Sequence, residues 1–133
     1  MTEYEFILQD ILNFHNDLAK SKDFIMADGI RDITLIESAT ATPFQSVFGK
    51  DLYPGNIEKA AKLFYGFTKN HGFIDGNKRV AVHSMLTFLK VNNIKLQYDT
   101  EELLDLVEDI AKSKADAKKE HERICTWLEK HIV

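Results

Sequence analysis

The fold is decided by residues 77–92, which read NKRVAVHSMLTFLKVN. The helix that this stretch predicts is apolar on nearly every side, and such a helix is normally buried at the centre of a protein. Its few polar positions are spaced mainly by three or four residues, so they share one narrow stripe, which comprises Arg79, His83, Ser84 and Thr87. The stretch therefore predicts a central helix that other elements surround.

Helical periodicity also covers most of the remaining chain, which contains only two prolines and six glycines. Residues 4–20 predict a first helix whose apolar stripe consists of Phe6, Ile7, Ile11, Phe14 and Leu18. A connector is predicted from Asp23 to Asp32, followed by a short helix that begins near Ile33. Residues 42–54 mix aromatic residues with turn formers and predict a loop or small hairpin flap.

Three further helices are predicted from residues that commonly cap helix starts. Asn56 is the predicted cap of a helix that runs to about residue 70. Asp99 begins a D-x-x-E pattern before a helix over roughly 100–112, and Ser113 with Asp116 offers another capping box before the last helix. The prediction is an all-α fold, a compact bundle of about six helices around a central buried helix with a small flap, in a single domain over residues 1–133.

Composition excludes several classes of function. The 133 residues carry 21 acidic and 17 basic side chains, so no basic excess favours direct nucleic-acid binding. No apolar run is long enough to cross a membrane, and the acidic start does not resemble a signal peptide. The single cysteine, Cys125, cannot form an internal disulfide, which predicts a reducing, cytoplasmic location.

The candidate catalytic and ligand-binding residues lie in residues 71–79, which read HGFIDGNKR and lead into the central helix. A helix start presents unpaired N–H groups and the positive end of a dipole, and such ends bind phosphate. Gly76 lets the backbone approach a ligand closely, and Lys78 and Arg79 add two cations. Asp75 is a hard oxygen ligand suited to Mg²⁺, and His71 can accept a proton near neutral pH. The combination is typical of phosphoryl or nucleotidyl transfer.

The segment resembles the motif of the Fic/Doc family, commonly written H-x-F-x-D/N-G/A-N-G/K-R. Seven specified positions are filled, by His71, Phe73, Asp75, Gly76, Asn77, Lys78 and Arg79. The resemblance extends to residues 29–32, 35–39 and 52–54, where it includes the flap that docks substrates, and spans about residues 5–130. It implies an enzyme that uses ATP or another nucleoside triphosphate, together with Mg²⁺, to modify a Ser, Thr or Tyr hydroxyl of a target protein.

The resemblance also implies a role for each motif residue. His71 would be the catalytic base or would orient the target hydroxyl, Phe73 would anchor the loop, and Asp75 would hold Mg²⁺. The nucleotide and phosphate site would be formed by Gly76, Asn77, Lys78 and Arg79.

Two positions favour one branch of the family. Members that transfer nucleotidyl groups typically have glycine where Lys78 stands and a second arginine where Val82 stands. At both positions the sequence resembles the Doc (death-on-curing) toxin branch of the family. This resemblance implies phosphoryl transfer, and it implies a translation elongation factor as the target. Gly76 is typical of the nucleotidyl branch, so Fic-type AMP transfer is the enzymatic alternative. A catalytically inactive binding module is the alternative of another class.

The sequence also bears on regulation and on two features outside the motif. The S/T-x-x-x-E-G/N pattern of the family's inhibitory helix is absent from the sequence, so the resemblance implies a separate antitoxin. His83 is expected to satisfy a polar partner along the central helix. The acidic run from Glu101 to Asp109 is interpreted as an exposed helix face.

Overall fold

The computed structural model describes residues 3–21 and 27–133. The described chain contains six α-helices, one short 3₁₀ helix and two short strands, in the order α1 (Glu3–Lys20), α2 (Ile33–Ala41), the 3₁₀ helix (Thr42–Phe44), β1 (Ser46–Val47), β2 (Lys50–Asp51), α3 (Asn56–Asn70), α4 (Asn77–Val91), α5 (Thr100–Lys112) and α6 (Ala117–His131). This order confirms the predicted all-α class and helix number. Residues 23–26 of the predicted connector lie outside the described residues.

The centre of the bundle is the pair formed by α3 and α4. Within the described chain α3 packs against α2, α4, α5, α6 and the 3₁₀ helix, whereas α4 packs against α1, α3 and α5. The predicted central helix, α4, therefore shares the centre of the bundle with α3. The physical reason is that Ala60 and Ala61 of α3 are fully buried and let neighbouring helices approach closely, while Val91 at the end of α4 is 63% exposed.

The predicted apolar stripe of α1 is correct at its centre and wrong at one end. Ile11 is fully buried, and Ile7 and Phe14 pack against the core. Phe6 is 55% exposed, where it lines a surface pocket together with Val91 at the end of α4. Among the described residues, none of the helices combines the length with the apolar character that crossing a membrane requires.

Only one of the three predicted helix caps holds. Asp99 accepts a hydrogen bond from the Glu101 amide, but α3 starts from Gly55, with Asn56 as its first helical residue. The last helix is capped by Asp116, which accepts from Lys119 N at 2.9 Å, and not by Ser113. An aspartate carries a charge that the positive helix end favours, which the Ser113 hydroxyl lacks.

The predicted flap is a two-stranded antiparallel hairpin. Ser46 pairs with Asp51 and Val47 with Lys50. Phe48 and Gly49 form the turn with φ angles of 52° and 76°. Two consecutive residues with positive φ are typical of a type I′ turn, whose twist matches that of the flanking strands. The prediction of a hairpin flap is confirmed.

Candidate active site

The loop between α3 and α4 is bounded at both ends by a residue in the left-handed region. His71 ends α3 with φ 51° and ψ 46°, and Gly76 precedes α4 with φ 82° and ψ 11°. Glycine adopts this conformation at no steric cost, whereas a residue with a Cβ is strained there. Strain of this kind persists only where the surrounding structure holds it, and it is frequent at functional sites. At His71 the surroundings supply that constraint.

A distant segment holds the end of α3 in place. The side chain of Arg31 donates from Nε to the His71 carbonyl at 2.6 Å and from Nη2 to the Asn70 carbonyl at 3.2 Å. The amides of Arg31 and Asp32 both donate to the Gly72 carbonyl, at 2.9 and 3.0 Å. A cation beside the last carbonyls of a helix complements the negative end of its dipole. Residues 31–32 therefore fix the backbone that carries His71.

Phe73 is buried at the centre of the loop, with 2% of its surface exposed. Its ring stacks on that of His15 from α1, with 3.9 Å between the ring centres. The side chain of Asn77 closes a ring with the Phe73 backbone: Oδ1 accepts from Phe73 N, and Nδ2 donates to Phe73 O, both at 3.0 Å. The Asn77 side chain thus faces the loop, and only its backbone N–H is placed at the start of α4.

The motif side chains meet at one open cleft of about 330 Å³. The cleft is lined by His71, Ile74, Asp75, Gly76, Asn77, Lys78 and Arg79. His71, Asp75 and both basic residues are exposed to it. The structure therefore brings together the polar residues that the sequence motif singles out, at the amino end of α4. Helix geometry leaves the first N–H groups of α4 without intrahelical partners, so they too are directed to this cleft.

Lys78 is held by a residue that the sequence does not single out. Its Nζ lies 2.8 Å from Oε1 of Glu108 on α5, and both side chains are 46% exposed. The hydrogen bond from Lys78 lowers the pKa of the Glu108 carboxyl below its usual value. The acidic run from Glu101 to Asp109 is therefore not only an exposed face, because one of its members reaches the site.

A larger groove of about 550 Å³ adjoins the cleft on the far side of Lys78 and Arg79. Apart from these two cations it is lined mainly by apolar residues, which are Phe14, Leu18, Val82, Leu104 and Val107, together with His83 and Glu108. His83 stacks on Phe14 and its Nε2 lies 2.9 Å from Asp10 Oδ2, so its expected polar partner is on α1. The groove therefore offers apolar surface and no cation beyond the pair at its entrance, within the described residues.

A model of the Fic/DOC family matches residues 5–89. The chain belongs to the Fic/DOC family. It is also similar to a protein of Mycolicibacterium smegmatis named Toxin Doc, with 37% identity over 89 residues, which are 65% of this chain and 68% of that relative. The matched residues include the whole loop from His71 to Arg79.

The oxygen donors of this cleft suit Mg²⁺ only when phosphate oxygens supply further ligands to the ion. Asp75 is exposed, and its oxygens accept from Gly76 N at 2.7 Å and Ala27 N at 3.4 Å, which leaves lone pairs for an ion. No group of three or more His, Cys, Asp or Glu side chains lies together in the described chain. Mg²⁺ is commonly held by one or two carboxylates plus substrate phosphates, so a single carboxylate is sufficient.

Three residues that build the site were not identified from the sequence, namely His15, Arg31 and Glu108. Each comes from an element at least thirty residues away from the residue that it contacts. A weak signal exists for Arg31, because it lies in the stretch 29–32 that resembles the family. Neither His15 nor Glu108 is distinguished by its local pattern.

Proposed function

We propose that this chain is a toxin that transfers a phosphoryl group from a nucleoside triphosphate to a hydroxyl of a target protein. The observation that carries the proposal is the meeting of His71 and Asp75 with the positive end of α4 and its two cations in one cleft. Members of the family transfer groups onto proteins. A base, a magnesium ligand and an anion site are what such a transfer requires.

Each residue of the cleft has its own role in this reaction. His71 accepts the proton of the attacking hydroxyl, or orients that hydroxyl toward the phosphorus. The backbone amides at the start of α4 and the Arg79 guanidinium bind phosphate oxygens. Asp75 would hold Mg²⁺ together with those oxygens, and the ion would neutralise their charge. Phe73 and Asn77 fix the loop on which these groups stand.

The distribution of charge favours phosphoryl over nucleotidyl transfer. A triphosphate with its outer phosphates in the larger groove would place them beside Val82 and the Glu108 carboxylate. Lys78 and Arg79 border both spaces, but in the groove the phosphates would also lie next to an apolar wall and a like charge, which is unfavourable. The cleft instead adds the N–H groups at the start of α4, and with the outer phosphates there and the nucleoside toward the groove, the terminal phosphorus would face His71. We therefore assign the phosphoryl group as the one transferred.

The hairpin is the surface at which the target polypeptide docks. Its strands are exposed, and Phe48 at the turn is 100% exposed, flanked by the exposed side chains of Val47 and Leu52. An exposed strand edge offers backbone hydrogen bonds to an extended segment, and apolar side chains beside it add contact area. A target loop that carries the acceptor hydroxyl would pair with this edge. The proposed acceptor is a hydroxyl of a translation elongation factor.

The decisive experiment compares two radioactive labels. The purified chain is incubated with Mg²⁺, cell lysate and ATP labelled at either the α- or the γ-phosphate. Label on protein from the γ-position alone, with a mass increase of about 80 Da, supports phosphoryl transfer. Label from the α-position, with an increase of about 329 Da, would assign nucleotidyl transfer instead. No transfer of either label would support an inactive binding module.

The proposed toxicity and antitoxin are tested in cells. Because the relative is named a toxin, we expect expression of this chain alone to arrest bacterial growth. His71→Asn is the matched control, since asparagine tolerates the left-handed backbone but cannot act as the base. If co-expression of a small protein encoded next to this chain restores growth, that protein is the antitoxin. Normal growth at high expression of the unaltered chain would contradict the proposal.

A further inference from the structure

His15 is a buried histidine on α1 that contacts the loop from outside the motif. Only 3% of its surface is exposed, and its ring lies parallel to that of Phe73, with 14° between the two planes. Its Nε2 lies 2.7 Å from the carbonyl oxygen of Asp75, which is 60 residues away in the sequence. A carbonyl oxygen can only accept, so the proton of the His15 ring is on Nε2.

The hydrogen bond from His15 acts on the same peptide unit that orients the Asp75 carboxylate. The carbonyl of Asp75 and the N–H of Gly76 belong to one planar peptide group. While His15 donates to the carbonyl, the N–H on the opposite side donates to Asp75 Oδ1 at 2.7 Å. Hydrogen bonds in such a chain polarise and strengthen one another. The plane of this peptide, and with it the carboxylate, is therefore fixed from both sides.

We propose that His15 is a positioning residue of the site, which holds the Asp75–Gly76 peptide so that the carboxylate faces the cleft, where it would hold Mg²⁺ with the triphosphate. The proposal rests on the proposed function for its catalytic consequence, but not for the positioning itself. His15 is not among the residues that line the cleft. It acts through the loop.

Several contacts besides those of His15 attach α1 to the bundle. The preceding residue, Phe14, stacks on His83 of α4 with 3.7 Å between the ring centres, and Asp10 bonds His83 one turn earlier. Ile11 is fully buried on the same helix. A histidine is therefore not required to attach α1 to the bundle. Apolar packing alone does not explain why the N–H of His15 is directed at the Asp75 carbonyl.

Two substitutions separate the ring contact from the hydrogen bond. His15→Phe keeps a flat ring against Phe73 and loses the donor, whereas His15→Gln keeps an N–H donor and loses the ring. His131→Phe is a matched control, because His131 stacks on Trp127 at 3.9 Å and its Nδ1 lies 2.6 Å from the Trp127 carbonyl. The control thus removes a similar bond at the carboxyl end of α6, together with the contact of 3.1 Å between His131 Nε2 and Glu102 Oε2.

Amide hydrogen exchange of residues 72–77 gives a readout that does not depend on activity. We expect His15→Phe to accelerate exchange in this loop by about five- to tenfold, the effect of losing one hydrogen bond. His15→Gln is expected to restore most of the protection, and His131→Phe to leave the loop unchanged. Unchanged loop exchange in His15→Phe, or equal acceleration by the control, would overturn the proposal.

Kinetics with Mg²⁺ and the triphosphate test the catalytic consequence. For His15→Phe we expect the Mg²⁺ concentration needed for half-maximal transfer to rise by about fivefold, with rescue by His15→Gln and no change in His131→Phe. An equal rise in this Mg²⁺ concentration for His131→Phe would indicate that His15 has only a structural role. If the unaltered chain transfers no phosphoryl group, the proposed function fails, while loop exchange still decides whether His15 positions the peptide.

A measurement on the unaltered chain covers the case in which His15→Phe does not fold. Nitrogen-15 NMR of the imidazole distinguishes the two neutral tautomers of a histidine. We expect the His15 proton on Nε2, protected from exchange with water. A proton on Nδ1 would exclude the hydrogen bond to the Asp75 carbonyl and would overturn the proposal.

Discussion

Replacing Asn77 by alanine tests whether its side chain stabilises the loop, as the structure indicates. The substitution removes two hydrogen bonds of 3.0 Å, one to each polar group of the Phe73 backbone. Both partners lie in the interior, since Asn77 is 9% and Phe73 2% exposed. A buried polar group that loses its partner costs about 1–3 kcal/mol. With two such groups, we expect Asn77→Ala to lower the free energy of unfolding by about 2–6 kcal/mol.

Urea denaturation followed by circular dichroism measures this change. The midpoint should fall while the slope stays constant, because the surface exposed on unfolding hardly changes. In a thermal scan the midpoint should fall by roughly 10 °C, as expected for a chain of this size. A loss in slope would instead indicate an altered unfolded state.

The matched control is Asn92→Ala at the other end of α4. Asn92 is half-buried, and its Nδ2 donates a single bond of 2.8 Å to the Phe88 carbonyl. Losing one partly exposed bond should cost about 1 kcal/mol. If Asn77→Ala destabilises the protein no more than this control does, the Asn77 side chain does not hold the loop and our interpretation is wrong.

Three further predictions concern the site and the one thiol. We expect His71→Asn to reduce transfer of the γ-phosphate by at least about 100-fold, the usual contribution of a general base, while the urea midpoint stays nearly constant; retained transfer would rule out His71 as the base. Glu108→Gln should release Lys78 and lower the KM for the triphosphate by about two- to fivefold in dilute buffer, an effect that added salt should reduce; an increase in KM would mean that Glu108 orients Lys78 productively. Burial raises the pKa of the Cys125 thiol from 9.0 to about 11. The neutral thiol is thus favoured in the folded state, so its contribution to stability is complete below pH 9 and is lost as the pH rises through 11. Iodoacetamide should accordingly alkylate the folded chain much more slowly at pH 8 than the urea-unfolded chain, and equal rates would contradict the burial of this thiol.

Local patterns predicted the helices and the loop because those features depend on neighbouring residues. The period of apolar residues located α3 and α4, and the turn formers in residues 42–54 predicted the hairpin that is present. The same patterns could not decide between two possible caps close together, and Asp116 was preferred to Ser113 in the structure. Both residues have an extended backbone, and the cap is Asp116 because the helical backbone begins directly after it, at Ala117.

The fold class and most residues that line the cleft could be predicted from the amino-acid sequence, since the motif from His71 to Arg79 is one continuous stretch beside a helix start. The contacts that hold these residues could not. Arg31, His15 and Glu108 come from three other parts of the chain, and each contacts the site through one to three hydrogen bonds. Such contacts join residues that are far apart in the chain, so they follow from how the helices pack, which no local periodicity encodes.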